Sequence, residues 1–335
     1  MKIKISFVFA VFFAGCLFAQ HPAKPIARIA FWNVENLFDT INDPKIDDEE
    51  FLPEGRMKWT SERYLTKIDH LSKVILAMGN GTGPDILGMS EIENEGVLVD
   101  LTTKTPLSKQ NYGIVHYDSP DKRGIDVGLI YKKDKFKVLN SKPVFVKLLD
   151  DSSFTRDILV VKGVFGKKDT LWICVNHWPS RRGGKEVSEE RRMCASNTMR
   201  KIQDSIVRLS KNAKILVIGD FNDEPNNKSI ENLKCSAEHS TSCFIDLMDS
   251  LKAAGDGSYH YRLEINMLDQ MLISRSLQSG KGIIIYNANI FREDFMTGVN
   301  YKDDPPGPLH FYAGTRYIGG YSDHYPVYAD VYLKK

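Results

Sequence analysis

The chain has 335 residues, 45 Lys+Arg against 43 Asp+Glu, and hydrophobic and charged fractions of 42% and 26%. That balance excludes wholesale disorder, a collagen-like repeat and a multi-span membrane protein. A formal net charge of +2 gives no overall cationic field of the kind that holds a protein along a polyanion.

At the N-terminus, Lys2 and Lys4 precede an apolar run from Ile5 to Phe18 that is followed by small residues. This is the order of an export signal, and its apolar core is too short to span a bilayer comfortably. Residues 1–19 are expected to be removed after Ala19, leaving 20–335 as one domain in the periplasm or outside the cell. A lipobox reading of Phe13-Ala14-Gly15-Cys16, with Phe13 where Leu is usual, would instead lipidate Cys16. Loss of the first 19 residues deletes two bases and no acid, so the mature chain is formally neutral.

Short apolar runs bounded by turn residues predict strands at Ala27–Trp32, Ile86–Met89, Val127–Tyr131, Ile158–Phe165, Thr170–Val175, Ile215–Ile218, Met267–Ile273, Gly282–Ile285 and Val327–Leu333. Helical spacing predicts a helix over Ser61–Met78, capped by Ser61, with Leu65, Ile68, Leu71, Ile75 and Leu76 on its buried face. A second helix is expected over Ser188–Leu209. Strands interleaved with helices mean an α/β protein. The polar segments 40–60, 222–241 and 291–320 read as excursions from one scaffold, because none has the apolar periodicity for its own core. Cys235 and Cys243 share a polar segment and are expected to pair, whereas Cys174 lies in an apolar run and reads as a small buried hydrophobe.

Residues able to do chemistry gather where these strands end. Asn33 and Glu35 follow the first, Glu91 follows ILGMS, and Asn176 with His177 follows LWICV. Asp220 and Asn222 follow ILVIG, Asp269 opens DQMLIS, and Asp323 with His324 precedes YPVYADVYL. Singly, each acid reads equally well as a helix cap and each His as a structural residue. Six strand ends carrying carboxylate, carboxamide or imidazole fit a site far better. Hard oxygen donors with two recurrent histidines suit Mg²⁺ or Mn²⁺. With no nucleophile elbow, Walker loop or dinucleotide fingerprint in the sequence, the chemistry expected is phosphoester hydrolysis.

At these residues the chain resembles the DNase-I-like endonuclease/exonuclease/phosphatase superfamily. The motifs are FWNVENLF (31–38), SEIEN (90–94), NHWPS (176–180), GDFND (219–223), LDQMLIS (268–274) and SDHYPV (322–327). The resemblance implies a four-layer α/β sandwich, two packed mixed sheets flanked by helices, with the site in loops at one edge. It implies Glu91 as principal metal ligand, Asn33 and Glu35 near the same metal, and Asp323 as a further carboxylate on the metal side. His177 matches the first catalytic histidine and Asn176 a phosphate contact. Asp220 and Asn222 match the acid and amide that position water and phosphate. His324 matches the second catalytic histidine, oriented by Asp269. Either His324 with Asp269, or Asp220, would be the base, with His177 near the leaving or non-bridging oxygen.

Arg156 matches an arginine that reaches the phosphate, with a surface salt bridge as the alternative. Asp126 is placed to orient His177 or to stand as a solvated strand-edge acid. DQ after Leu268 and Trp178-Pro179 after His177 depart from the commoner family pattern, so the pocket walls differ.

The basic residues Arg181, Arg182, Lys185, Arg191 and Arg192 would grip a polyphosphate, or sit as a solvated face balanced by Glu186, Glu189 and Glu190. Phe311, Tyr312, Tyr317 and Tyr321 would stack on bases or, the favoured reading, pin their long loop to the sheet. The leading expectation is an exported nuclease cutting DNA or RNA. A phosphatase or phosphodiesterase acting on small phosphate esters, inositol phosphates or lipid headgroups is the alternative. A silent binding protein is disfavoured because the set of Glu91, His177, Asp220, Asp269 and His324 is complete. Nothing in the sequence marks an obligate protein partner.

Overall fold

The structure, a computed structural model, describes residues 24–150, 152–166, 169–235 and 243–334. The expected export segment and Cys16 lie outside the described residues. In chain order the elements are β1 (Ala27–Leu37), α1 (Ser61–Met78), β2 (Ile86–Ile92), α2 (Glu95–Thr103), β3 (Tyr112–His116), β4 (Asp126–Lys132), β5 (Phe136–Val144), β6 (Ile158–Phe165), β7 (Asp169–His177), α3 (Lys185–Leu209), β8 (Lys214–Asp220), α4 (Lys228–Glu231), β9 (Phe244–Asp246), α5 (Asp249–Ala253), β10 (Tyr259–Tyr261), β11 (Glu264–Asn266), β12 (Asp269–Ser274), α6 (Arg275–Ser279), β13 (Gly282–Ile290), the two-residue strands β14 (Thr297–Gly298), β15 (Gly307–Pro308), β16 (Tyr312–Ala313) and β17 (Arg316–Tyr317), and β18 (Val327–Lys334).

Two six-stranded sheets form, ordered β13-β18-β1-β2-β4-β3 and β5-β6-β7-β8-β12-β9. Each is mixed in the same way. The pairs β1/β2 and β7/β8 run parallel, and every other neighbour runs antiparallel. Helices α1 and α2 pack on the first sheet and α3 on the second, giving the four-layer α/β sandwich.

Strand alternation builds the two interior layers. Val161, Ile173, Val175, Leu216 and Ile218 of the second sheet join the core between the sheets. Their chain neighbours Val160, Cys174, Ile215 and Val217 face Ala195, Met199, Ile202 and Ile206 of α3. Each Val, Leu, Ile or Met side chain so buried contributes about 1.5–3 kcal/mol. Strands buried on both faces read as unbroken apolar runs, which is why the sequence announced them. At Gly88 the sheets approach so closely that a Cβ would lie 2.7 Å from Ile218 Cδ1 and 3.2 Å from Val175 Cγ1.

Some expectations shift. Helix α1 is capped by Thr60, whose hydroxyl accepts from Arg63 N, rather than by Ser61. Its buried face is Tyr64, Lys67, Ile68, Leu71 and Ile75, while Leu65 is 53% exposed. The apolar runs predict neither the strands β3 and β5 nor the helix α2, nor the short elements β9–β11, β14–β17 and α4–α6. β5 is an edge strand, half-exposed and carrying Pro143, so it lacks the apolar run of a central strand. Cys235 and Cys243 form a disulfide, with Cα atoms 4.7 Å apart. Cys174 is fully buried, and burial pushes its thiol up to about 12. Among the described residues no helix is long and apolar enough to cross a membrane.

Candidate active site

Sheet register assembles the centre. His177 on β7 stands opposite Asp220 on β8, which stands opposite Asp269 on β12. Three chemically active side chains thus share one row across three adjacent strands. In the other sheet, Asn33 on β1 pairs with Ser90 on β2, one residue before Glu91. Register shifts interrupt both strands here, and Glu35, Asn36, Glu91 and Asn222 take left-handed backbone conformations, with φ from 49° to 62°. Such conformations are sparsely populated for non-glycine residues and re-aim side chains at functional edges.

The row closes around Asp220. Its Oδ2 lies 3.7 Å from Nε2 of His177, 3.8 Å from Nε2 of His324 and 3.0 Å from the Asn33 amide nitrogen. That same amide nitrogen reaches Glu91 Oε1 at 3.2 Å, so Asn33 ties the two sheets' carboxylates together. Asn222 donates its backbone N–H to Asp220 Oδ1 and its side-chain amide to the Trp178 carbonyl. His324 Nδ1 donates to Asp269 Oδ2 at 2.7 Å, and the Ser258 hydroxyl donates to the same oxygen. Trp32 Nε1 donates to the His324 carbonyl, and Tyr259 lies against the imidazole with ring centroids 4.8 Å apart. These contacts leave His324 little rotational freedom.

The two histidines are driven apart electrostatically. Burial, then Arg156, Arg123 and His324, holds His177 well below the usual imidazole range. Burial opposes charge on His324 as well, but the carboxylates of Asp269, Asp323 and Asp220 outweigh it and hold this imidazole well above that range. Burial raises Asp220 to about 7, against the pull of His324.

The donor set fits a hard divalent cation. Oδ1 of Asp323 and Oδ1 of Asp269 are buried without a hydrogen-bond partner. Asp220, Asp269 and His324 can bring ligand atoms within 4.8 Å of one another. Glu91 keeps both oxygens at the site's edge, accepting from Asn33 and from the Asn36 N–H.

Four expected roles are revised. Both oxygens of Glu35 accept from backbone, from Phe311 N at 2.7 Å and Tyr312 N at 3.0 Å, so it anchors the 291–320 loop. Asn176 is fully buried; its amide donates to the Cys174 and Ile218 carbonyls and accepts from Trp178 Nε1, leaving nothing for a phosphate. Asp126 does not orient His177: it faces His116, Oδ2 to Nε2 at 3.4 Å, and accepts from Ser119 N, while Nδ1 of His177 has no partner. Arg156 is no surface residue. It is buried between Asp121 and the Trp178 carbonyl, with Nε unpartnered.

Neither reading of the basic segment describes all of it. Arg192 is fully buried in an ion pair with Asp223, and Arg181 bonds the Asn222 carbonyl and the Asn227 and Asn266 side chains. Phe311, Tyr312 and Tyr321 are buried and pin their loop, as the favoured reading had it.

Two residues escaped the sequence reading. Lys67 of α1 is fully buried, donates to the Tyr321 carbonyl, and feels Glu35, Asp323 and Glu91. Its signal was a lysine on the apolar stripe of an amphipathic helix. Arg123 donates to Asn36 Oδ1 and holds His177 down; it stands in RGIDVGLIY, three residues before Asp126.

Residues 28–335 match the model of the Endonuclease/Exonuclease/phosphatase family. Among solved structures, the human Nocturnin catalytic domain with bound sulfate is similar at TM-score 0.57 and 18% identity, covering 94% of this chain and 97% of that one. A Bacteroides thetaiotaomicron endonuclease/exonuclease/phosphatase family protein is similar at TM-score 0.57 and 14% identity, with 92% and 98% covered. D. rerio TDP2 complexed with single strand DNA product is similar at TM-score 0.56 and 14% identity, with 92% and 99% covered. No curated protein matches significantly.

Proposed function

The chain belongs to the endonuclease/exonuclease/phosphatase family, whose members hydrolyse phosphoric esters, and from that premise we propose that it is an exported, divalent-metal-dependent nuclease acting on DNA or RNA. The observation that carries this reading is the position of Asp220 Oδ2, within 4 Å of the Nε2 atoms of two buried histidines. A tetrahedral phosphate between those nitrogens would have Asp220 beside it to take a proton from the attacking water. His324, fixed by Asp269, faces the phosphate with Nε2, and Asn222 and His177 close the other side. Glu91 and Asp323, beside Asn33, would hold Mg²⁺ or Mn²⁺, which when bound screens the phosphate charge and polarises its oxygen. D. rerio TDP2, of similar fold, has been seen with a single strand DNA product, which supports a nucleic-acid substrate.

Purified protein with Mg²⁺ or Mn²⁺ is expected to degrade plasmid or RNA, to stop on chelation by EDTA, and to recover when the metal is returned in excess. A panel of small phosphomonoesters, inositol phosphates and lipid headgroups belongs beside it. Survival of nucleic acid with hydrolysis of small esters overturns the nuclease reading and leaves the chemistry. Activity that persists in EDTA overturns the metal requirement.

Export rests on residues 1–19 and on the Cys235–Cys243 disulfide, a bond suited to an oxidising compartment. The intact mass of protein secreted by its producing cell is expected to begin at Gln20. A mass retaining residues 1–19 on intracellular protein would refute export, and a lipid adduct on Cys16 would replace cleavage after Ala19 with anchoring.

A further inference from the structure

Beside the catalytic row lies a cavity of about 530 Å³, bordered by Asp323 and Glu35. Its walls come from the β10–β11 hairpin, the 291–320 loop and the 51–59 segment. We propose that this cavity takes an unpaired nucleoside attached to the phosphate being hydrolysed, so that the enzyme acts on single-stranded nucleic acid or on nucleotide esters rather than on duplex. The inference deepens the hydrolase reading and rests on it.

Tyr259 lines the cavity and also lies against the His324 imidazole at 4.8 Å. A group seated there is therefore one side chain away from the reacting phosphate. The volume of about 530 Å³ falls within the roughly 300–1,000 Å³ range of small-ligand sites, room for one nucleoside and not for stacked base pairs.

Phe311, Tyr312 and Tyr321 are buried in packing, but Tyr261 and Tyr301, on two different walls, are 53% and 46% exposed. Open aromatic faces are what unpaired bases stack on. Arg262 lies 5.3 Å over the Tyr261 ring, forms no ion pair with any described residue, and adopts φ 55° at the hairpin turn. It is a cation held at the mouth of an aromatic pocket, suited to a phosphate-bearing planar ligand. His260 and His310, also on the walls, are kept below the usual imidazole range chiefly by burial, so they offer neutral hydrogen-bonding groups rather than more charge.

The test compares wild type with Tyr261→Ala, Tyr301→Ala and Tyr301→Phe. Steady-state kinetics on a short unpaired oligonucleotide and on its duplex are paired with calorimetric titration of AMP and dTMP. Wild type is expected to favour the unpaired strand. Each alanine variant should raise KM for it about 10-fold with kcat within about twofold, and should weaken nucleotide binding to match. Tyr301→Phe should restore both, since it keeps the ring. Unchanged KM in both alanine variants, equal use of duplex, or no AMP or dTMP binding by wild type overturns the pocket. Loss of nucleotide binding in the alanine variants, alongside a wild type that hydrolyses no phosphodiester, supports the pocket and overturns the nuclease reading instead. Preference for free nucleotide esters over the oligonucleotide identifies the source of the nucleoside.

Discussion

Replacing His324 with alanine is expected to lower the rate of phosphodiester hydrolysis by at least about 10²-fold, the scale of a general acid–base group, while leaving the fold intact. Asp269 holds the imidazole at Nδ1 and Tyr259 lies against its ring, while Trp32 Nε1 donates to the His324 backbone carbonyl and Ser322 Oγ accepts from its backbone N–H. Of these, only the Asp269 bond decides which nitrogen faces the phosphate. Asp269→Asn should therefore cost nearly as much as His324→Ala. An amide can still occupy the space, but it removes the carboxylate that does most to keep this imidazole charged and can turn its NH₂ towards Nδ1. The two losses should not add, because both remove one oriented Nε2. Rates are to be compared on the same substrate at saturating metal, with circular dichroism confirming the fold. Wild-type-like turnover in His324→Ala would sink the mechanism. Additive losses in the double variant would show that Asp269 acts independently of the imidazole.

Lys67→Met is expected to destabilise the metal-free protein by about 3–5 kcal/mol, the cost of removing one partner from a buried charge network. Lys67 is fully buried, donates to the Tyr321 carbonyl at 2.9 Å, and sits 4.7 Å from the Phe311 ring centroid. Burial lowers it to about 8, resisted by Glu35, Asp323 and Glu91. Glu35 is raised to about 8, burial again leading, with Lys67 the main opposing influence. A carboxyl whose folded value lies above its ordinary 4.5 contributes its stability below that value and loses it as pH rises towards the folded one. Without the lysine Glu35 keeps its proton to a still higher pH, so its loss runs on past the wild-type value. The deficit of Lys67→Met should therefore hold nearly constant from pH 5 to 7 and grow above pH 8, and adding Glu35→Gln should recover part of it. Urea denaturation at pH 6 and pH 9 decides this. A deficit under about 1 kcal/mol, or one independent of pH, would mean that α1 carries the lysine for reasons other than these acids.

Strands buried on both faces declared themselves as apolar runs, and so did the residues displayed where those runs end. Side-chain partners were less legible, for reasons that differ by residue. Asn176 is adjacent to His177 in a strand whose side chains alternate, so if one faces the site the other must face the helical layer; that parity was available and would have removed Asn176. Glu35 was legible as an acid in the right motif, but its partners are the backbone N–H groups of residues 311 and 312, some 276 positions away. No local pattern encodes such a contact. Asp126 found His116 across β3 and β4, a pairing that depends on a strand the sequence did not reveal. Arg192 looked like one charge among several on a helix face, and only the return of the 223 loop makes it a buried partner.

The row of His177, Asp220 and Asp269 lies across hydrogen-bonded strands, whose separation of about 4.8 Å is a constant of sheet geometry. Its dimensions therefore belong to the backbone lattice and are insulated from the excursions that wall the cavity. Insertions or exchanges in the 291–320 loop can remake what enters without disturbing the spacing of the groups that react. A scaffold arranged this way lets selectivity drift while its chemistry stays put, in the way a lathe keeps its spindle and changes its chuck.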